Sequence, residues 1–146
     1  MDPPVAVSVT PSSGSGATYS FTAVYSDGKG AANIKSAGVL INDELSGVSS
    51  CYVMYARAKG ALGLVEDAGV GFLPLGSDAG SKVENSQCTL VGKGASAADS
   101  GSELTIKGTV EFKREFGGSK NIYLYARNVE GGETPMFPAV GAWLIP

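Results

Sequence analysis

Hydrophobic residues alternate with polar ones in short runs along this chain, and no stretch places apolar residues at i, i+3, i+4 and i+7 over three turns. The longest alternation sets Leu104, Ile106, Gly108, Val110 and Phe112 against Thr105, Lys107, Thr109, Glu111 and Lys113, a strand with one face in water. Tyr19, Phe21, Ala23 and Tyr25 alternate with Ser20, Thr22 and Val24 in the same way. Ile122, Leu124 and Ala126 alternate with Tyr123, Tyr125 and Arg127, which puts two tyrosines and an arginine on the face away from the aliphatic residues. That face is either packed or displayed.

The breakers between runs predict strands near 4–9, 18–26, 35–42, 51–57, 61–66, 70–75, 86–91, 102–113, 120–127 and 138–145. Ten short strands predict a sandwich or a barrel. Lys59-Gly60 reads as a tight hairpin, with Gly supplying the positive φ such turns need. Asp27–Gly30 and Glu115–Ser119 read as further connections, and Ser12–Gly16 as a polar loop between the first two strands. Gly60-Ala61-Leu62-Gly63 and Gly92-Lys93-Gly94 have no phosphate-loop spacing and read as turns and bulges. No internal repeat is visible. A seven-stranded immunoglobulin-type sandwich uses about 100 residues, so roughly 45 are surplus, and we place them between 44 and 100.

With 146 residues, 43% apolar and 17% charged, residues 1–146 make one domain able to bury a core, too apolar for a disordered chain. No apolar run approaches the roughly 20 residues that span a bilayer, so membrane insertion is not expected. The chain has no histidine, which removes His-based triads, His-zinc sites and Cys-His nucleophiles. No Ser-x-x-Lys series replaces them. The acidic pairs Asp43-Glu44 and Glu66-Asp67 are adjacent residues that point apart on a strand, and they read as solvated turns rather than a glycosidase pair. We therefore expect no enzyme. Net charge is -3, and no basic cluster exceeds Lys113-Arg114, which disfavours a nucleic-acid partner.

The N-terminus, Met-Asp-Pro-Pro, lacks the features of a secretory signal, and residues 1–4 read as a linker at a module boundary. The end at Trp143-Leu144-Ile145-Pro146 follows directly on a strand pattern, so both ends read as cut from something longer. Cys51 and Cys88 each lie in a β-favouring run, and a metal site would need more ligands than two thiols. In a Gly/Ser-rich chain they suit a disulfide of an exported protein, worth roughly 4 kcal/mol against the unfolded state. The other reading is two reduced core thiols in a cytosolic protein.

Tyr125-Ala126-Arg127-Asn128-Val129-Glu130-Gly131-Gly132-Glu133-Thr134-Pro135 resembles the penultimate strand and following loop of fibronectin type III modules. Tyr25–Gly30 followed by Ile34–Asn42 resembles the second and third strands of bacterial Ig-like modules. The segments 11–16, 25–27, 39–42, 51–53, 85–90, 120–126 and 141–143, in that order, resemble a repeated module of large exported bacterial proteins. Lys120 stands where fibronectin modules place a corner tyrosine. The resemblance implies an immunoglobulin-like, fibronectin III-like antiparallel β-sandwich with an inserted hairpin in 44–100 that carries both cysteines. It also implies an extracellular or cell-surface location.

The expected function is that of a non-catalytic module, a spacer or an interaction unit contacting neighbouring modules or a protein partner. A second reading is a carbohydrate-binding module, since surface tyrosines stack on sugar rings. Its candidate ligand face is Tyr52, Tyr55, Tyr123 and Tyr125, with Phe72 and Phe137 also undecided in facing. Trp143 reads as core, and Pro135-Met136-Phe137-Pro138 as an apolar tip packed on its own domain or on a partner. A third reading is calcium-stabilised adhesion through Asp27, Asp43 and Asp67, with Asn33 and Asn42 nearby in sequence. No other metal or cofactor is expected.

Overall fold

The computed structural model describes residues 3–78, 80–135 and 139–146. Among them the alternating segments form β1 (Val5–Thr10), β2 (Ser13–Ser15), β3 (Thr18–Ser26), β4 (Ile34–Asn42), β5 (Cys51–Ala56) and β6 (Ala61–Val65). They continue as β7 (Phe72–Pro74), β8 (Lys82–Glu84), β9 (Cys88–Ser100), β10 (Glu103–Phe112), β11 (Gly118–Asn128) and β12 (Gly141–Ile145). Short 3-10 turns occupy Ala31–Asn33, Arg57–Lys59 and Arg114–Phe116. No helix among the described residues is long and apolar enough to cross a membrane.

The protein is an all-β sandwich. A five-stranded sheet in the order β1-β3-β10-β9-β8 packs on a seven-stranded sheet in the order β2-β12-β11-β4-β5-β6-β7. Neighbouring strands pair antiparallel except β2 with β12, which run parallel. The period of two decides what meets between the layers. β3 turns Tyr19, Phe21, Ala23 and Tyr25 inward, and β10 turns Leu104, Ile106, Val110 and Phe112 inward. Facing them are Val39 and Ile41 of β4, Cys51 and Val53 of β5, Leu64 of β6, and Ile122 and Leu124 of β11. Each such buried side chain contributes about 1.5–3 kcal/mol of transfer free energy, so this seam is the main stabilising element.

Cys51 of β5 and Cys88 of β9 form a disulfide that links the two sheets across 37 residues of sequence. A buried disulfide fits an oxidising compartment rather than a reducing one. Residues 44–100 are integral to both layers, supplying β5, β6 and β7 to one sheet and β8 and β9 to the other.

The hairpin at Lys59-Gly60 forms as expected, with Gly60 left-handed at φ 61°. Ser12–Gly16 departs from expectation, because Ser13–Ser15 is a strand. It lies over Trp143, whose ring is so close to Gly14 that a Cβ there would sit 2.6 Å from Cζ3. The indole N–H donates to the Gly16 carbonyl at 2.9 Å, and Trp143 is core as expected. Gly92-Lys93-Gly94 is a bulge inside one long strand: Val91 pairs with Thr109 and Ser96 with Lys107, so residues 92–95 oppose Gly108 alone.

Candidate functional site

The outer face of the seven-stranded sheet carries the residues whose facing the alternation left undecided. Cys51 and Val53 of β5 point into the core, so Tyr52 and Met54 point out. Register aligns Tyr123 with Leu40 and Tyr52 across β11, β4 and β5, and aligns Tyr125 with Gly38, Met54 and Gly63 in the next row.

The first row is covered at Tyr123 and Leu40, while Tyr52 at its end is half-buried and reaches the groove. Tyr123 and Leu40 are only 4% and 2% exposed although they lie on the outer face. Segment 43–50 closes over this end: Gly47 approaches the Tyr52 ring, and Asn121 Nδ2 donates to the Asp43 carbonyl and the Tyr123 hydroxyl. Asn42 holds that segment by donating from Nδ2 to the carbonyls of Ser46 and Val48. The Ser49 N–H, bonded to the Asp67 carbonyl, ties it to segment 66–71.

The second row is open, and a groove of about 350 Å³ runs along it. Tyr52, Met54, Phe72 and Tyr125 line it beside the loop Gly69–Gly71, while Lys35, Lys59 and Arg127 line the opposite end. Two aromatic rings rest directly on glycine backbone. A Cβ at Gly38 would lie 2.7 Å from the Val53 carbonyl oxygen and 2.9 Å from Tyr52 Cε1. At Gly63 it would lie 2.3 Å from the Leu73 carbonyl oxygen and 2.8 Å from the Phe72 ring. Only glycine lets these rings settle against the sheet.

The tyrosine hydroxyls in the groove are neutral donors. Burial pushes Tyr125 up to about 12, helped by the hydrogen bond it donates to Glu133 at 2.5 Å and opposed by the Arg127 guanidinium. Burial also raises Tyr52 well above the usual phenol range, with further repulsion from Tyr125 and Glu133. Lys35, Lys59 and Arg127 take part in no ion pair among the described residues.

The expected four-tyrosine face is therefore divided. Tyr52 and Tyr125 share the groove with Phe72, Tyr123 is covered, and Tyr55 lies on the other face of β5. There Tyr55 lines a separate cavity of about 620 Å³ with Leu62, Leu75 and Ala97, and the Arg57 guanidinium stands 5.6 Å from its ring centre. Phe137 and the rest of the Met136–Pro138 tip lie outside the described residues. Met54 shares its parity with Tyr52, and that was the available signal for it. Lys35, Lys59 and Arg127 come from three separate segments, and no local pattern connects them.

The carboxylates considered for calcium do not converge. Asp27 is buried, receiving bonds from the Lys29 N–H and the Asn33 side-chain amide. Asp43, at the far end of β4, pairs with Lys120 at 2.7 Å. Asp67 accepts bonds from the Ser86 hydroxyl and N–H, which hold its carboxyl below the ordinary range. Among the described residues no group of three His, Cys, Asp or Glu side chains is placed to hold a metal ion. No protein-family model matches the chain, and no curated protein matches it either.

Proposed function

We propose that this protein is a non-catalytic, Ig-like interaction module of an exported multidomain bacterial protein, and that it holds a carbohydrate ligand in the groove on its outer sheet face. The observation that carries this reading is the pairing of Tyr52 and Phe72 with Gly38 and Gly63, which sets two aromatic rings against a rigid sheet beside an open trough. Such rings offer apolar faces to the C–H faces of sugars, and the neutral hydroxyls of Tyr52 and Tyr125 supply polar contacts. A bare spacer would leave this groove without use.

Strand order supports the Ig-like part. β1-β3-β10-β9 opposite β12-β11-β4-β5-β6 follows the A-B-E-D and G-F-C-C′-C″ arrangement of variable-type immunoglobulin sandwiches. The disulfide joins different strands, linking the equivalents of C′ and D instead of B and F. The absence of histidine from the chain favours binding over catalysis.

Affinity electrophoresis through a panel of soluble polysaccharides tests the reading. At least one polymer is expected to retard the protein, with retardation lost in Tyr52→Ala. Free migration through every polymer would overturn it.

A further inference from the structure

We infer that the groove selects an anionic polysaccharide, one carrying carboxylate or sulfate groups, through Lys35, Lys59 and Arg127. This rests on the reading of the groove as a carbohydrate site and names the class of sugar it takes. The protein as a whole is acidic, with net charge -3, yet among the described residues its groove is lined by three cations and by no carboxylate. The described ion pairs engage four different cations: Lys29 with Glu130, Arg57 with Asp99, Lys113 with Glu84 and Lys120 with Asp43. The three groove cations have no such partner among the described residues and are exposed.

Their placement is directional. Lys35 lies next to the start of β4, Arg127 lies next to the end of β11, and Lys59 sits at the tip of the β5–β6 hairpin. All three gather at one end of the sheet, while Tyr52, Phe72 and Gly69–Gly71 form the other end of the groove. A ligand that fills it must present an acidic group at one end and an apolar ring face a short distance away. A uronate or sulfated sugar unit does both.

The two nearest carboxylates, Glu133 and Glu66, weaken this field without reversing it, two negative charges against three positive. Glu133 accepts the Tyr125 hydroxyl at 2.5 Å, and Glu66 is packed against Gly71, where a Cβ would meet its Cγ at 2.6 Å. An acidic peptide would satisfy the cations but leave the rings with flexible side chains. A single-stranded nucleic acid would face the negative charge of the rest of the surface.

The test is affinity electrophoresis of the whole chain in gels holding polygalacturonate, a sulfated galactan, a neutral β-glucan, polyglutamate or single-stranded DNA. Polygalacturonate or the sulfated galactan is expected to retard the protein, and the comparison between them tells carboxylate from sulfate. Retardation should fall as ionic strength rises from about 0.01 M to about 1 M, which shortens the screening length from about 30 Å to about 3 Å. Lys35→Gln combined with Arg127→Gln is expected to weaken binding about tenfold, whereas Lys107→Gln, on the other sheet, leaves it unchanged. Thermal melts of each variant separate loss of binding from loss of fold.

Equal retardation by the neutral glucan, insensitive to salt but abolished by Tyr52→Ala, would overturn the anionic selectivity and leave the carbohydrate groove standing. Retardation by polyglutamate or DNA as strong as by the acidic sugars would overturn the inference in favour of simple charge attraction. Free migration in every gel would overturn both the inference and the reading beneath it.

Discussion

The Tyr25 hydroxyl, reaching from the five-stranded sheet, donates a 2.6 Å hydrogen bond to the Gly38 carbonyl of the seven-stranded sheet. Tyr25 is wholly buried, and desolvation holds its pKa well above the ordinary phenol value, so the hydroxyl keeps the proton it donates beyond the pH at which an exposed phenol ionises. The same glycine lies beneath the Tyr52 ring on its outer side. One residue thus joins the packed core to the floor of the groove.

Replacing Tyr25 by Phe keeps the ring in the core and deletes only this bond. The expected cost is about 1 kcal/mol, seen as a lower urea midpoint at unchanged m-value. An unchanged midpoint would mean that the bond adds nothing to the joint between the sheets.

Gly38→Ala attacks the same joint from the outside. The new methyl would meet backbone at Val53 as well as the Tyr52 ring, and a backbone oxygen cannot swing away as a side chain does. Overpacking of this kind costs about 1–3 kcal/mol. Gly28→Ala, with no heavy atom within 4 Å of the added carbon, is the control and should stay within about 0.5 kcal/mol of the parent. Equal melting temperatures for the two variants would contradict the close approach of Tyr52.

Much of this architecture is legible in the chain because alternation is a direct consequence of one wet and one dry face. The inward rows of β3, β10 and β11 follow from their parity alone, and so does the outward facing of Tyr52. Parity also separates Tyr55 from Tyr52, since three positions apart on a strand means opposite faces. Burial of Tyr123 could not be read this way, because the cover comes from segment 43–50, which has no periodicity. Ser13–Ser15 carries no alternation either; its place is set by the Trp143 ring, about 130 residues away in the chain. The cationic end of the groove depends on three strand ends meeting, which only the sheet order determines.

The disulfide makes a prediction about stability. Cys51 and Cys88 are 37 residues apart, and a loop of that size constrains the unfolded chain by about 4 kcal/mol. Reduction, or paired Cys→Ala substitution, is expected to lower the melting temperature by about 8–16 °C for a domain of this size. Mass analysis of the untreated, denatured protein should show no alkylatable thiol. Two modified thiols would remove the bridge and, with it, the argument for an oxidising compartment.

The pH dependence of stability should form a broad plateau with two edges. Asp67, Asp99, Glu84 and Glu130 have depressed pKa values from hydrogen bonds to Ser86, Arg57, Lys113 and Asn33 respectively. A depressed carboxylate stabilises above its unfolded pKa of about 4 and loses that contribution as pH falls through its lower folded value. These groups are mostly exposed, so the acid edge should be shallow and weakened by salt. At the other end Tyr19, Tyr25, Tyr52 and Tyr125 are raised by burial. Their unfolded forms ionise near pH 10 while the folded forms do not, so stability falls steeply above about pH 10. With no histidine in the chain, no side chain has an unperturbed pKa between about 5 and 8. Chemical denaturation at intervals from acid to alkali checks the shape; a marked rise or fall of stability between about pH 5 and pH 8 would contradict it.

Asn85 is the polar counterpart of the disulfide beside it, and it has a sharper signature. Its side chain is buried and makes four bonds. Nδ2 donates to the carbonyls of Ser50 at 2.9 Å and Val65 at 3.1 Å, and Oδ1 accepts the N–H groups of Gln87 and Cys88, each at 2.9 Å. Two of these partners lie in the seven-stranded sheet, just before β5 and at the end of β6, and two at the start of β9, so one amide spans both layers. Asn85→Ala strands all four groups, and a loss of about 2–4 kcal/mol is expected. Asn85→Asp keeps both acceptor contacts but turns an oxygen toward two carbonyls. Burial and repulsion by the two carbonyls disfavour its ionised form more than the Gln87 and Cys88 N–H groups favour it, so its folded pKa is expected above the unfolded value of about 3.9. The Asp variant should therefore come closest to the parent at acid pH, where the protonated carboxyl donates to one carbonyl. It should fall away as pH climbs from about 4, levelling off above the raised folded pKa. Parallel denaturation curves for parent and Asp variant across pH, with a constant gap, would show that the Asn85 amide does not bridge the sheets through its N–H groups.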